Sequence, residues 1–495
     1  MKQYVLSIDQ STQGTKALLF SKDGRLLARC DRAHRQLIDE KGWVSHDPEE
    51  IYQNLLAAVQ DVMGKAEISP DEIACLGLSN QRETSLIWER DSGKPLCNAV
   101  VWQCARAEPI CDKLYRAGAG ELVRQTTGLP LSPYFPAAKF AWILETIPEA
   151  KALAARHALC FGTMDAWLIY RLTDGKSYKT DASNASRTQL FDLRRLRWSE
   201  EVCSLFEIDA NDLPEVCASD ACFGETDLNG MLPRTIPIHA VLGDSHAALF
   251  AQGCHSGGMT KATYGTGSSA MMNVGAAPVF SRHGLVSSLA WNYCGQIQYV
   301  LEGNINYAGA VIRWLEQDIG LIQSPQETQA LAEQADPEDC TYLVPAFTGL
   351  GAPYWASTVR AMICGMSRLT GRKELVRAAL ESIAYQITDI VRAMEQDAGV
   401  PLKMLRADGG ATRNGYLMQF QSDILGADVS ISDAEELSGI GAAYMAGLAF
   451  GIYDKTIFEM MSRTICRPAM PSGQREERYQ GWQSAVRCAM EMQGR

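Results

Sequence analysis

Three short stretches of this chain carry the residue types that grip a phosphate. The first is Val5 to Lys16, VLSIDQSTQGTK, where an apolar run ends in Asp9 and passes through Thr12, Gln13 and Gly14 to Lys16. The second is Gly265-Thr266-Gly267-Ser268-Ser269, and the third is Asp408-Gly409-Gly410-Ala411, running on to Asn414. Each follows an apolar run of strand length. Glycines let a backbone come close and adopt positive φ, while amides, hydroxyls and an ammonium donate to oxyanions. Asp9, at a strand end, suits a hydrated Mg²⁺, which keeps most of its waters and needs few carboxylates. Taken singly, each stretch also reads as a plain hairpin with solvated polar residues. Taken together, they read as loops facing one another across a phosphate-binding cleft. No GxxxxGK[ST] motif and no GxGxxG after a strand are present, so Walker-type and dinucleotide-fold readings fall away.

Phosphoryl transfer also needs a positioned acceptor and a base. Asp244, after Gly243 at a strand end, is a candidate base; a turn or N-cap residue is the other reading. Arg82 and Glu83 offer a donor fork beside an acceptor, which suits the vicinal hydroxyls of a polyol or sugar, or else a surface ion pair. Trp102 and Tyr134 could flank a carbon chain or sit in a core. His246 is read as a packing residue without chemistry.

The elements that hold these residues alternate strand and helix, which means an α/β fold. Strands are predicted at 73–79, 86–88, 99–102, 236–241, 260–264, 270–274 and 402–407. Ile51, Leu55, Val59 and Met63 recur at helical spacing after Asp47-Pro48, an N-cap followed by proline in the first turn. Leu375, Ala379, Ile383, Ile387, Val391 and Met394 form one face of a long amphipathic helix. The strand–loop–strand pattern of the N-terminus recurs at Thr260. Two domains are expected, 1–252 and 253–495, meeting where glycines cluster in GCHSGG.

The 495 residues are enough for two domains, and a net charge of -12 argues against a nucleic-acid partner. The first residues turn acidic too soon for a secretory leader, and Leu437 to Tyr453 falls short of the ~20 apolar residues of a membrane span. That stretch is predicted to be a closely packed buried helix. Fifteen scattered cysteines without a CxxC pair read as reduced thiols, so a cytoplasmic location is expected.

Further stretches carry a resemblance over nearly the whole chain. They include NQRETSLIW (80–88), YFPAAKFAWILE (134–145), TDASNASRTQLFD (180–192), GDSHAALF (243–250), VPAFTGLGAPYW (344–355) and AMICGMSRLTGRKELVRAALE (361–381). The chain resembles the FGGY carbohydrate kinases, glycerol kinases most closely. The resemblance implies two actin-like, ribonuclease H-like α/β domains flanking a nucleotide cleft, with ATP and Mg²⁺ as cofactors. It implies Asp244 as catalytic base, and Asp9, with Asp244, at the metal. It implies Arg82, Glu83, Trp102 and Tyr134 at the acceptor. Thr12, Gln13 and Lys16 fall on the phosphate side, and Gly265, Thr266, Gly309, Gly409, Gly410 and Asn414 match nucleotide contacts. A small polyol or sugar is the expected partner, and a homodimer or homotetramer is left open.

Departures bear on the acceptor. Ser245 stands where glycerol kinases carry Gln, Ser269 where they carry Phe, and Arg313 replaces a Gln near the nucleotide. Ser11, Gly14 and Lys16 in the first loop look more like xylulokinases. Two hydroxyls in place of bulkier groups predict a wider, more polar pocket and an acceptor larger than glycerol, a tetritol, pentitol or ketopentose. The alternatives are a true glycerol kinase and, from another class, an actin- or chaperone-like ATPase with no sugar substrate.

Overall fold

The computed structural model describes residues 3–492. The extreme ends of the two expected domains, and the first two residues of the stretch read for a leader, lie outside the described residues. Two sheets are built on one plan. In the first, β1 (Tyr4–Gln10), β2 (Gly14–Phe20) and β3 (Leu26–Ala33) form an antiparallel meander, and β4 (Ile73–Asn80) runs parallel to β1. Next come β5 (Cys222–Thr226) and β6 (Ile236–Gly243), giving the order β5-β6-β4-β1-β2-β3.

In the second sheet, β7 (Met259–Tyr264) and β8 (Ser268–Gly275) repeat the opening hairpin, and β9 (Val286–Tyr293) and β10 (Gln296–Ile305) extend it. The strand β11 (Met404–Asp408) is parallel to β7, β12 (Val429–Ser432) is parallel to β11, and β13 (Arg463–Cys466) closes the edge antiparallel. In both sheets, hairpin loops and parallel-strand carboxyl ends gather the polar residues on one side. A ligand sits there in such sheets.

Local chemistry explains the helices. In α1 (Pro48–Ala66), the Asp47 side chain accepts from the Glu49 and Glu50 amides, and apolar residues at every third or fourth position are buried. Pro136 opens α2 (Pro136–Thr146), directly after Tyr134 and Phe135. Asp244, expected at the end of a strand, is the first residue of α3 (Asp244–Ala251), because Ala247 to Ala251 pack as a buried helix. The long amphipathic α4 (Arg372–Ala398) lies against the second sheet, and α5 (Gly415–Leu425) is capped by Asn414.

The expected buried helix is α6 (Leu437–Phe450), and it packs on α3 and the first sheet although it follows the strands of the second. Ser7 Oγ donates to the Gly439 carbonyl at 2.7 Å. A Cβ on Gly441 would stand 1.9 Å from the Ala247 carbonyl oxygen, so only glycine permits this approach. The expected division at residue 252 is thus crossed by one helix. The last helix, α7 (Ser472–Glu491), buries Tyr479 and Trp482 against the second sheet's core.

Candidate active site

Three cavities adjoin along the cleft. The first, about 580 Å³, is lined by Thr12, Arg82, Glu83, Trp102, Tyr134 and Asp244 from the N-terminal half. Gly265, Ser269 and Asn304 line it from the C-terminal half. The second, about 700 Å³, has Asp244, Ser245, Lys261, Ser269, Gly409, Gly410 and Arg413 in its walls. The third, about 640 Å³, lies between Gly309, Arg313, Thr328, Gly410, Arg413 and Asn414. Asp244 and Ser269 belong to the first and second cavities, and Gly410 and Arg413 to the second and third. One trough therefore runs from the first cavity, past the Asp244 carboxylate, to the second and third.

Asp244 Oδ1 accepts from Arg82 Nε at 3.1 Å and from the Ser245 amide at 2.6 Å. Arg82 in turn gives Nη1 and Nη2 to the two oxygens of Glu302, at 2.9 and 3.0 Å, and Nη2 also reaches Ser245 Oγ at 3.2 Å. Arg187 Nη1 lies 3.0 Å from Glu302, and Arg187 Nε donates to Glu83 at 2.5 Å. Burial would raise the Glu302 carboxyl, but the Arg82 and Arg187 guanidiniums outweigh it and hold it well below the usual carboxylate range. Glu83 has φ of 60°, the left-handed region, in the tight turn that brings residues 81–83 into the cavity wall.

Trp102 and Tyr134 stand with ring centroids 5.6 Å apart, and Trp102 Nε1 donates to Thr12 Oγ1 at 2.9 Å. The buried Lys139 ammonium donates to the Pro133 carbonyl at 2.8 Å and to that of Tyr134, fixing the turn that carries the tyrosine. Burial pushes that ammonium down to about 7. His246 is buried against Ser288, and burial keeps its imidazole well below the usual value, as a packing histidine requires.

Around the phosphate-facing loops the placement differs in part from expectation. Thr12 lines the first cavity and not the second or third. Lys16 does not reach the cavities, because its ammonium pairs with Glu436 at 2.7 Å, which Arg29 also engages. Gln13 is exposed. Asp9 accepts from Ser79 Oγ at 2.5 Å. Burial pushes the Asp9 carboxyl up to about 6; Ser79 and Lys16 oppose the rise, and the Asp244 and Glu436 carboxylates add to it.

The Gly265–Thr266 loop is cradled by backbone. The Ala308 and Ala310 amides donate to the Thr266 carbonyl at 3.0 Å, and the Gly309 amide to that of Gly265 at 2.9 Å. Gly409 has φ of +98°, and a Cβ there would stand 2.5 Å from the Tyr264 carbonyl oxygen. Asn414 donates to Thr328 Oγ1 at 2.9 Å, and exposed Arg313 lines the same chamber.

Arg187, Glu302, Lys139 and Lys261 escaped the reading from residues. Each is a buried charge in an otherwise apolar or small-residue run, and that incongruity was the available signal.

Among the described residues no group of three His, Cys, Asp or Glu could hold a metal ion. A hydrated Mg²⁺ asks for less, one or two carboxylates plus substrate phosphates. Asp9 and Asp244, close enough for their charges to interact, match that donor set. No helix among the described residues is long and apolar enough to cross a membrane.

Comparison with known proteins bears on the whole chain. Models of the FGGY family of carbohydrate kinases match residues 4–251 with the N-terminal domain and 260–450 with the C-terminal domain. Glycerol kinase 1 of Thermotoga maritima is 47% identical over 98% of this chain and 99% of its own length. A glycerol kinase of Carboxydothermus hydrogenoformans is 45% identical over 99% of both. The crystal structure of Plasmodium falciparum glycerol kinase with ADP superposes with a TM-score of 0.93 at 35% identity, covering 98% of each chain.

Proposed function

Since the chain belongs to the FGGY family of carbohydrate kinases, we propose that it phosphorylates a terminal hydroxyl of glycerol with ATP. The observation that carries the kinase chemistry is the position of Asp244, where the first cavity, read as the acceptor chamber, meets the second. In this reading the acceptor lies against the paired rings of Trp102 and Tyr134 with its hydroxyls toward Arg82 and Glu83. Asp244 accepts the proton of the terminal hydroxyl as that oxygen attacks the γ-phosphorus in line. The bond from the γ-phosphorus to the bridging oxygen breaks, and ADP leaves. Gly265, Thr266 and Gly409 offer backbone to the phosphates, and Gly309, Arg313, Gly410 and Asn414 border the chamber for the nucleoside. Bound beside Asp9 and Asp244, Mg²⁺ supplies charge neutralisation to the phosphate oxygens.

Glycerol takes precedence over the larger acceptors expected from Ser245 and Ser269. Relatives at 42–47% identity over almost the full length carry the name glycerol kinase. The Ser245 hydroxyl is also engaged by Arg82, which removes half of the argument for a more polar pocket. A four- or five-carbon acceptor keeps two supports, the Ser269 hydroxyl in the chamber wall and added space. A further cavity of about 690 Å³ opens beside the acceptor chamber, sharing Tyr134, Asn304 and Trp355 with it. A coupled ADP-release assay over glycerol, tetritols, pentitols and ketopentoses decides. The highest kcat/KM is expected with glycerol; a better tetritol or ketopentose would transfer the assignment, and acceptor-independent ATP hydrolysis would end it.

A further inference from the structure

The strand β10 serves two parts of the cleft at once. Near its end, Glu302 reaches across the cleft to Arg82 and Arg187 of the N-terminal half, with both its oxygens occupied by Arg82. A few residues on, the same chain turns into Ala308, Gly309 and Ala310, whose amides hold the Gly265–Thr266 loop. Within its own sheet β10 is held in register with β8, Met271 pairing with Glu302 and Ser269 with Asn304. The acceptor arginine is therefore oriented by a carboxylate from the opposite half of the molecule, on a strand whose continuation grips the nucleotide loop.

The geometry makes this more than core filling. Five charges alternate in a row, Asp244, Arg82, Glu302, Arg187 and Glu83, and Glu302 is fully buried. A bidentate carboxylate fixes the plane of a guanidinium as well as its position. With Nη1 and Nη2 held by Glu302, the Arg82 Nε is left facing Asp244. A movement of β10 moves that fork directly.

We propose that Glu302 is a positioning residue that couples occupancy of the nucleotide loop to the orientation of Arg82, so that each substrate strengthens binding of the other. The proposal rests on the kinase reading above. Linkage requires the coupling to be reciprocal.

The test measures the Kd of a non-hydrolysable ATP analogue with and without saturating acceptor, beside steady-state KM and kcat, in the wild type, Glu302→Asp and Glu302→Gln. In the wild type, acceptor should tighten the analogue by about fivefold or more. Glu302→Asp keeps the charge but shortens the arm. It should fold normally, reduce that tightening to within about twofold, and raise acceptor KM by about tenfold or more. The Kd of the analogue alone should stay within about twofold. Glu302→Gln, if it folds, should match or exceed these losses. No tightening in the wild type, or tightening retained in folded Glu302→Asp, overturns the coupling while leaving the kinase assignment intact. Failure of the wild type to release ADP with any acceptor removes the kinase reading and this inference with it.

Discussion

Replacing Asp244 with Asn tests the proposed chemistry with little disturbance of the site. The amide keeps an oxygen that can accept from Arg82 Nε and the Ser245 amide, the two contacts that place the side chain. Arg82 keeps its bidentate grip on Glu302 and its bond to Ser245. The lost ion pair leaves buried Arg82 paired with Glu302, and the Asp244 side chain is partly open to solvent, so the fold keeps most of its stability. What disappears is the proton acceptor, together with one of the two carboxylates assigned to Mg²⁺, so the assay is run at saturating Mg²⁺. A positioned general base contributes about 10²- to 10⁴-fold, or about 3–5 kcal/mol of barrier. The variant should therefore melt within a few degrees of the wild type and keep its acceptor KM within several-fold. Its kcat should drop by about two to four orders of magnitude in a coupled ADP-release assay. A kcat within about threefold of wild type in a folded variant would remove Asp244 from proton transfer. An equal loss of stability and activity would mean that the carboxylate is there to balance Arg82.

Other outcomes follow from single contacts. Gly441→Val inserts atoms where a Cβ would already lie 1.9 Å from the Ala247 carbonyl oxygen, and overpacking of this kind costs about 1–3 kcal/mol, read as a lowered Tm; an unchanged Tm would contradict the tight contact of α3 with α6. Trp102→Phe keeps a ring beside Tyr134 but deletes the donor to Thr12, and acceptor KM should rise about two- to tenfold with ATP KM unchanged. Asp389, buried on α4, accepts from Tyr479, Trp482, Tyr354 and Gln483, and burial pushes its carboxyl up to about 6 against the opposing pull of those donors. Its folded pKa lies above the unfolded value, so the folded state holds a proton that the unfolded chain releases. Its contribution to stability is fullest below about pH 4 and is lost as pH rises through 6. The denaturation midpoint of the wild type relative to Asp389→Asn should accordingly fall between pH 4 and 6.5, and parallel profiles would refute the assignment.

Much of this architecture is legible in the sequence because it is written locally. The hairpins at Asp9 and Thr260, the capped helix after Asp47 and the long face of α4 depend on neighbours within a few residues. Asp244 is singled out by its position after a strand, and the structure places it at the first turn of α3. What was not legible depends on partners far along the chain. Lys16 looks like a phosphate ligand until Glu436, 420 residues on, takes its ammonium. Arg82 and Glu83 look free to bind hydroxyls until Glu302 and Arg187 claim much of their hydrogen-bonding capacity across 220 and 104 residues. Relatives named glycerol kinase weigh against the larger acceptor expected from the two serines, and the structure adds a related reason: a Ser245 hydroxyl counts in full as pocket polarity only if no neighbour has engaged it.

The packing of α6 on the first sheet has a consequence for how the molecule is made. The bond from Ser7 to Gly439 joins positions separated by 432 residues. A ribosome must translate nearly all of the chain before the first sheet receives the helix that covers Leu18, Cys75 and Leu242. Until then the N-terminal half waits with an apolar face in water, a natural client for a holding chaperone and a point of aggregation in overexpression. A fragment ending near residue 252 inherits that uncovered face permanently, and supplying residues 437–450 in trans is the way to restore it.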